Sequence, residues 1–151
     1  MNYEQRVRKT LLISALAFLT CAPPPVPDLD TATYAPALEV DLANSTKVSG
    51  MYIRDITIGD AGVAITAGTR VSMNYTGWLA DGTQFDTNQA AGFPFVVGAG
   101  TVIDGWDLGV PGMLANGERQ LIIPPSLGYG EDGAQGIPGN SILIFNVKLK
   151  P

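Results

Sequence analysis

The stretch VSMNYTGWLADGTQFD at residues 71–86 decides how this chain folds. Its first half alternates apolar Val71, Met73 and Tyr75 with polar residues, a period of two that is typical of a half-buried β-strand. The Asp81-Gly82 pair follows, and both of its residues tolerate a positive φ, which favours a tight hairpin turn. The stretch therefore predicts a strand that ends in a hairpin.

Three other segments read as strands and one as a short helix. The strand candidates are residues 51–58, 118–123 and 142–150, and in the last of these the apolar residues at alternate positions share one face. The helix candidate covers residues 104–110 and is stopped by Pro111, because proline cannot continue a helix. Several strands with one short helix predict an α+β domain in which an antiparallel sheet packs on the helix.

Composition excludes several kinds of chemistry. The 151 residues leave room for one domain and a short leader, and 46% apolar with 15% charged residues describes an ordinary globular core. Histidine is absent and Cys21 is the only cysteine. The chain thus lacks the residues for a Ser-His-Asp or Cys-His nucleophile, a His/Cys zinc site or an intrachain disulfide. Asp104 and Asp107 share a helix face but lack the further ligands of a calcium site, so no metal or cofactor is predicted.

Charge is unevenly distributed along the chain. Three of its nine basic residues, Arg6, Arg8 and Lys9, lie in the first ten positions, and from Cys21 onward six basic residues face thirteen acidic ones. No basic stripe remains that could neutralise phosphates, so nucleic acid is not an expected partner.

The first thirty residues are typical of an export leader and a spacer. The basic cluster precedes an uncharged run at residues 11–22, too short to span a bilayer as a helix, and residues 1–20 are therefore predicted to be an export signal. The alternative is a short buried helix of the domain. Prolines at residues 23–27 favour a stiff polyproline II linker, or simply a disordered one, within residues 21–45.

Cys21 lies directly after the apolar run, where bacterial lipoproteins carry the cysteine that becomes acylated. The preceding residues 18–20 match the lipoprotein pattern only in part. We expect an exported, periplasmic protein that is anchored to the membrane through a lipidated Cys21. Cleavage after Ala17, which would release a soluble protein, and an uncleaved anchor remain the alternatives.

Five ordered segments of the last hundred residues resemble one known family. They are Asn74-Tyr75-Thr76-Gly77, Phe85-Asp86, Val102-Ile103-Asp104-Gly105-Trp106, Gly128-Tyr129-Gly130 and Leu143-Ile144-Phe145. In this order and spacing they resemble the FKBP-type peptidyl-prolyl isomerases, which include the receptors for tacrolimus and rapamycin. The resemblance covers residues 46–151, the predicted isomerase domain. It implies a twisted antiparallel sheet wrapped around one short α-helix, with the active cleft between them.

The resemblance also implies a role for individual residues. Trp106 is similar to the tryptophan that floors the proline pocket, which without the resemblance would be read as a core residue. The implied pocket walls are aromatic: Tyr75, Phe85, Phe95 and Phe145, with Phe93 on the rim. The backbone N–H of Ile103, with Val102 beside it, and the hydroxyl of Tyr129 are implied to contact substrate polar groups. Ile137 is implied to lie on a loop that overhangs the pocket.

Asp86 is the one carboxylate that the family places in the cleft, with an electrostatic role; a turn or capping aspartate is the alternative. The chain lacks the arginine often found shortly after this position, and no lysine or arginine occurs between Val71 and Glu118. Asp86 is therefore expected to depend on neutral donors such as Tyr75 or Asn88. The same distribution predicts an acidic cleft rim.

The implied function is isomerisation of X-Pro bonds in proteins that fold outside the cytoplasm, by an apolar aromatic cleft without covalent chemistry. Expected partners are proline-containing polypeptides and macrolides of the tacrolimus and rapamycin type. The alternatives are an FKBP-like proline-binding or scaffolding module with little or no turnover, such as a subunit of a membrane-associated complex, and a lipoprotein with a structural role in the envelope.

Overall fold

A six-stranded antiparallel sheet and one short helix make up the domain. The computed structural model describes residues 25–151; the predicted export signal and Cys21 lie outside the described residues. The strands are β1 (Thr46–Val48), β2 (Met51–Thr57), β3 (Arg70–Leu79), β4 (Gln84–Val96), β5 (Glu118–Ile123) and β6 (Leu143–Leu149), and the helix is α1 (Asp104–Gly109). Their order across the sheet is β1-β2-β5-β6-β3-β4. The predicted α+β fold is confirmed.

Most predicted elements lie within two residues of their observed bounds; the exceptions are β1, which the sequence did not predict, and β4. The hairpin between β3 and β4 closes as expected, with the Leu79 N–H donating to the Thr83 carbonyl at 2.8 Å and Gly82 at φ 91°. The sequence did not predict the length of β4, because Gly92 and Pro94 interrupt any alternating pattern there. Its pairing with β3 shifts register twice, between Met73 and Tyr75 and again after Gly77.

The helix lies directly on one face of the sheet, which we call the front face. Two glycines make this approach close: a Cβ at Gly105 would lie 2.6 Å from Ile123 Cδ1, and one at Gly109 would lie 2.7 Å from a Leu121 methyl. The front core contains the alternate residues of β6 that the sequence predicted to share a face: Leu143, Phe145, Val147 and Leu149. The depth of the helix on the sheet therefore follows from the absence of side chains at residues 105 and 109.

A buried arginine ties the end of the helix to the sheet. The Arg119 guanidinium donates through Nη1 to the carbonyls of Gly109 at 2.8 Å and Pro111 at 3.0 Å. Its Nε donates to Asp55 Oδ1 on the neighbouring strand at 2.6 Å. A cation is favourable at this end of α1, where carbonyl groups without a helical partner concentrate negative potential. One side chain thus fixes the helix against both β5 and β2.

The opposite, back face of the sheet is covered by residues 28–45, which we call the N-terminal strap. Leu29 and Leu38 are 4% and 7% exposed, and they pack in one cluster with the back-face residues Ile122 and Ile144. Gln120 Nε2 donates to the Leu38 carbonyl at 2.8 Å. The folded unit therefore reaches further toward the N-terminus than the predicted boundary at residue 46. No helix within residues 25–151 is long and apolar enough to cross a bilayer.

Candidate active site

A cleft of about 480 Å³ opens on the front face between α1 and the sheet. Eight of the predicted site residues line it: Tyr75, Asp86, Phe93, Val102, Ile103, Trp106, Tyr129 and Phe145. Gly100 and Thr101 also line it, and the sequence did not predict them. The signal that could have found them is their position, since they directly precede Val102 on the same loop. Residues from α1, three strands and two loops therefore meet at one cavity.

Trp106 forms the floor of the cleft. It projects from α1 into the front core and is 4% exposed. Its ring lies 5.0 Å from that of Tyr75 and 5.4 Å from that of Phe145, between centroids, and both contacts are edge-on. Edge-to-face contacts of this kind are favourable beyond the area they bury. The floor is consequently held in one orientation by its neighbours.

Three predicted site residues lie behind the lining rather than on it. Phe85 packs edge-on against Phe145 at 5.4 Å, and Phe95, 5% exposed, packs on Trp106 at 5.6 Å. Ile137 is 7% exposed and belongs to the front core. These side chains support the wall and floor from the protein side.

The packing of the aromatic wall also requires a glycine at position 77. A Cβ at Gly77 would lie 2.6 Å from the Phe145 ring and 2.7 Å from the Phe85 ring. Two phenylalanines therefore pack directly over the backbone of β3, and no larger residue fits there without moving one of them.

Asp86 receives its hydrogen bonds from neutral donors. The Tyr75 hydroxyl donates to Asp86 Oδ2 at 2.6 Å, and the Thr87 N–H donates to Oδ1 at 2.8 Å. The expected hydrogen bond from Tyr75 to Asp86 is confirmed. Asn88 makes no hydrogen bond to Asp86, and its Oδ1 accepts the Gly92 N–H instead. Within residues 25–151 the salt bridges are Lys47–Asp30 and Arg119–Asp55, and neither involves Asp86.

Both tyrosines of the cleft are held in the protonated form. Burial, and then the hydrogen bond to Asp86, raise the pKa of Tyr75 well above its ordinary value of 10.0. Burial, and then the charge of Asp86, raise the pKa of Tyr129. A neutral phenol remains a hydrogen-bond donor, and the hydroxyl of Tyr129, on a side chain 39% exposed, has no partner within residues 25–151. Tyr129 can therefore donate to a bound ligand.

Ile103 presents a second uncommitted donor. It lies just before α1 with φ −61° and ψ 147°, and its carbonyl accepts the Trp106 N–H at 2.9 Å. Its own N–H has no acceptor among residues 25–151. An amide at the lining of the cleft without a protein acceptor can donate to a ligand that brings a carbonyl oxygen.

The site contains no set of metal ligands. Among the described residues, no three His, Cys, Asp or Glu side chains are grouped so as to hold an ion. The chemistry available is that of a carboxylate, two phenols, backbone amides and apolar shape.

Comparison with protein families identifies the domain. Residues 62–150 match the model of the family described as FKBP-type peptidyl-prolyl cis-trans isomerase. The chain belongs to the FKBP family. The match covers more than half of the chain and includes every residue that lines the cleft.

Curated FKBP relatives are close in sequence over this domain. The chain is 51% identical over 104 residues to FK506-binding protein 4 of Aspergillus oryzae, and the alignment covers 68% of this chain and 22% of that protein. It is 50% identical over 101 residues to a peptidyl-prolyl cis-trans isomerase of Saccharomyces cerevisiae, with 66% and 24% covered. The chain thus spans about a quarter or less of the length of these fungal relatives.

Solved FKBP structures share the fold. A crystal structure of AtFKBP13 superposes with a TM-score of 0.62 at 36% identity, covering 68% of this chain and 93% of that one. FkpA from Escherichia coli superposes with a TM-score of 0.64 at 34% identity, covering 72% of this chain and 51% of that one. The predicted sheet wrapped around one short helix is therefore the FKBP fold.

Proposed function

We propose that this FKBP domain is a peptidyl-prolyl cis-trans isomerase. The observation that carries the proposal is a cleft with a rigid aromatic floor at Trp106 and two uncommitted donors at its edge, the Ile103 N–H and the Tyr129 hydroxyl. Rotation about an X-Pro bond needs no nucleophile. It needs a site that binds the twisted amide better than either planar form.

The cleft supplies the elements that such catalysis requires. The barrier to rotation about an X-Pro amide is about 18–20 kcal/mol, because its C–N bond has partial double-bond character. That character is lost most readily where water is excluded and the carbonyl oxygen carries less charge. Trp106, Tyr75 and Phe145 offer a pyrrolidine ring an apolar contact surface. Lowering the barrier by about 5–8 kcal/mol corresponds to roughly 10⁴ to 10⁶ in rate.

Asp86 acts on the substrate electrostatically in this proposal. Its carboxylate is anchored by Tyr75 and Thr87, so it cannot turn away, and no cation among residues 25–151 is paired with it. A fixed negative charge at the wall stabilises the electropositive side of the twisting amide without moving a proton. Proline-containing polypeptides are the proposed substrates, and macrolides such as tacrolimus are proposed to compete for the same cleft.

The cellular location that we propose is supported only by the sequence of the leader and Cys21. The basic cluster, the apolar run and Cys21 support export, with lipidation at Cys21 and periplasmic display of the domain. The domain plan of this proposal is an export signal at 1–20, a linker that begins at Cys21, and the isomerase unit. The curated relatives are fungal and lend this part no support. A mass spectrum of the mature N-terminus tests it.

The isomerase activity is tested with short X-Pro peptides and the full chain without its leader. We expect a large acceleration of cis-to-trans conversion and a loss of about one to two orders of magnitude in kcat/KM for Asp86→Asn, which keeps the shape of the side chain and removes its charge. Circular dichroism and unfolding curves verify that the variant folds. A folded wild-type domain that binds proline peptides without accelerating them would instead be a binding module.

Charge next to proline is expected to affect turnover. Asp86 is the one charged side chain among the residues lining the cleft, so a lysine before proline is attracted and a glutamate repelled. We expect kcat/KM for the lysine peptide to exceed that for the glutamate peptide by about tenfold at low salt, with the ratio falling as salt screens the interaction. A leucine peptide serves as the neutral control. Equal turnover of the two charged peptides at low salt would contradict an acidic rim.

A further inference from the structure

Asp107 is an acidic residue of α1 that the mechanism above leaves unused. Its carboxylate reaches back to the loop that precedes the helix: Oδ1 accepts the Gly98 N–H at 2.8 Å and Oδ2 accepts the Gly100 N–H at 2.9 Å. Both glycines have positive φ, 75° and 67°, in the region that residues with a side chain adopt only with strain. One side chain thereby holds two successive bends of the loop.

The loop that Asp107 holds forms one wall of the cleft. Its residues Gly100, Thr101, Val102 and Ile103 all line the cavity. The loop starts at Val97, whose N–H donates to the Thr69 carbonyl and whose carbonyl accepts the Gly68 N–H. After Gly100, the N–H groups of residues 101–103 have no acceptor among residues 25–151. The hydrogen bond from the Gly100 N–H to the Asp107 carboxylate is therefore the last one that holds the backbone of this loop before the free N–H of Ile103.

Asp107 also links this wall to the floor. Asp107 follows Trp106 directly in α1. Asp107, which holds the loop, and Trp106, which forms the floor, therefore belong to the same helical turn and move together. Hydrogen bonds to a charged acceptor are stronger than those between neutral groups. A pair of them from one carboxylate fixes the distance and the angle between the loop and the helix.

We propose that Asp107 is a positioning residue of the cleft, which sets the direction of the Ile103 N–H and so the affinity for ligands that bring a carbonyl oxygen to it. Asp107 touches no substrate itself. The effect is on binding, because the Ile103 amide contacts the ligand in the planar and twisted forms alike, and a contact of that kind changes KM more than kcat. The catalytic part of this inference rests on the proposed function; the effect on binding does not.

The test compares Asp107→Ala and Asp107→Asn with a matched control, Asp104→Ala. Asp104 lies on the same short helix, is exposed, and its carboxylate makes no hydrogen bond within residues 25–151, so the control removes an equal charge from the same turn. For Asp107→Ala we expect KM for a neutral proline peptide to rise about tenfold while kcat changes less than about threefold. We expect a smaller rise for Asp107→Asn, which keeps one acceptor oxygen, and wild-type values for Asp104→Ala.

Two further measurements make the result specific to the loop. Amide hydrogen exchange is expected to accelerate at both Gly98 and Gly100 in Asp107→Ala, at one of them in Asp107→Asn, and at neither in the control. The dissociation constant of tacrolimus, measured by calorimetry, is expected to rise in parallel with KM. Unchanged exchange at the two glycines, or equal effects of the Asp107 and Asp104 substitutions, would overturn the proposal. If the wild-type domain shows no turnover, the proposed isomerase function fails. Weaker tacrolimus binding by a folded Asp107→Asn variant would then still support the positioning role of Asp107.

Discussion

Replacing Trp106 by alanine is expected to lower kcat/KM for X-Pro peptides by at least about a hundredfold. Two decades in rate correspond to about 2.7 kcal/mol of lost transition-state stabilisation, which is comparable to the free energy of burying one apolar side chain. In the proposed mechanism the indole is the surface that contacts the proline ring, and its neighbours Tyr75 and Phe145 cannot move into its place because they are fixed on strands. The measurement is a protease-coupled or NMR exchange assay.

Stability needs to be separated from activity in this experiment. Trp106 is 4% exposed, and truncation of a core tryptophan costs about 3–5 kcal/mol of folding free energy. Trp106→Phe therefore accompanies it, since it keeps an aromatic floor and is expected to lose less than about tenfold. Trp78→Phe is the matched control on the back face, where the other tryptophan packs in the strap cluster. A folded Trp106→Ala protein with wild-type turnover would show that the floor is dispensable.

Removal of the N-terminal strap is expected to destabilise the domain without changing its cleft. A chain that begins at Thr46 loses the packing of Leu29 and Leu38, each worth about 1.5–3 kcal/mol when fully buried, and exposes the apolar back face of the sheet around Ile122 and Ile144. We expect its free energy of unfolding to fall by roughly 3 kcal/mol or more relative to a chain that begins at residue 25. Urea unfolding of both chains measures this difference.

Point substitutions test the same idea with the chain length unchanged. Leu38→Ala is expected to cost about 2–5 kcal/mol. Leu108→Ala, at a leucine 40% exposed on α1, is expected to stay within about 0.5 kcal/mol of wild type. Exposure of the back face is also expected to promote association of the shortened chain, detected by light scattering. Equal free energies of unfolding for the two chain lengths would show that the strap contributes nothing to the stability of the domain.

Sequence reasoning succeeded where the determinants are local. Pro111 limits the helix, and the alternation of residues 71–75 and 143–149 identifies two central strands together with the faces they bury. The cleft residues were predicted from a resemblance that spans several elements, since no local pattern brings Tyr75 or Phe145 to Trp106. The family comparison confirms the resemblance.

The features that sequence reasoning missed depend on contacts between distant residues. Leu29 and Leu38 show no regular spacing, yet each finds a partner on strands about a hundred residues later in the chain. Strand β4 contains a glycine and a proline that interrupt its pattern, and only pairing with β3 makes it continuous. The role of Asp107 is likewise visible only once the loop at residues 98–100 folds back over the helix.

The position of the strap also decides which way the domain faces when it is held from its N-terminus. The described chain reaches the sheet through Leu29, on the back face, while the cleft opens on the front. An attachment upstream of residue 25 therefore pulls on the side opposite the cleft. On a surface, such a tether would meet the domain on a sheet face that contributes no residue to the cleft, so the point of attachment itself would not cover the cleft.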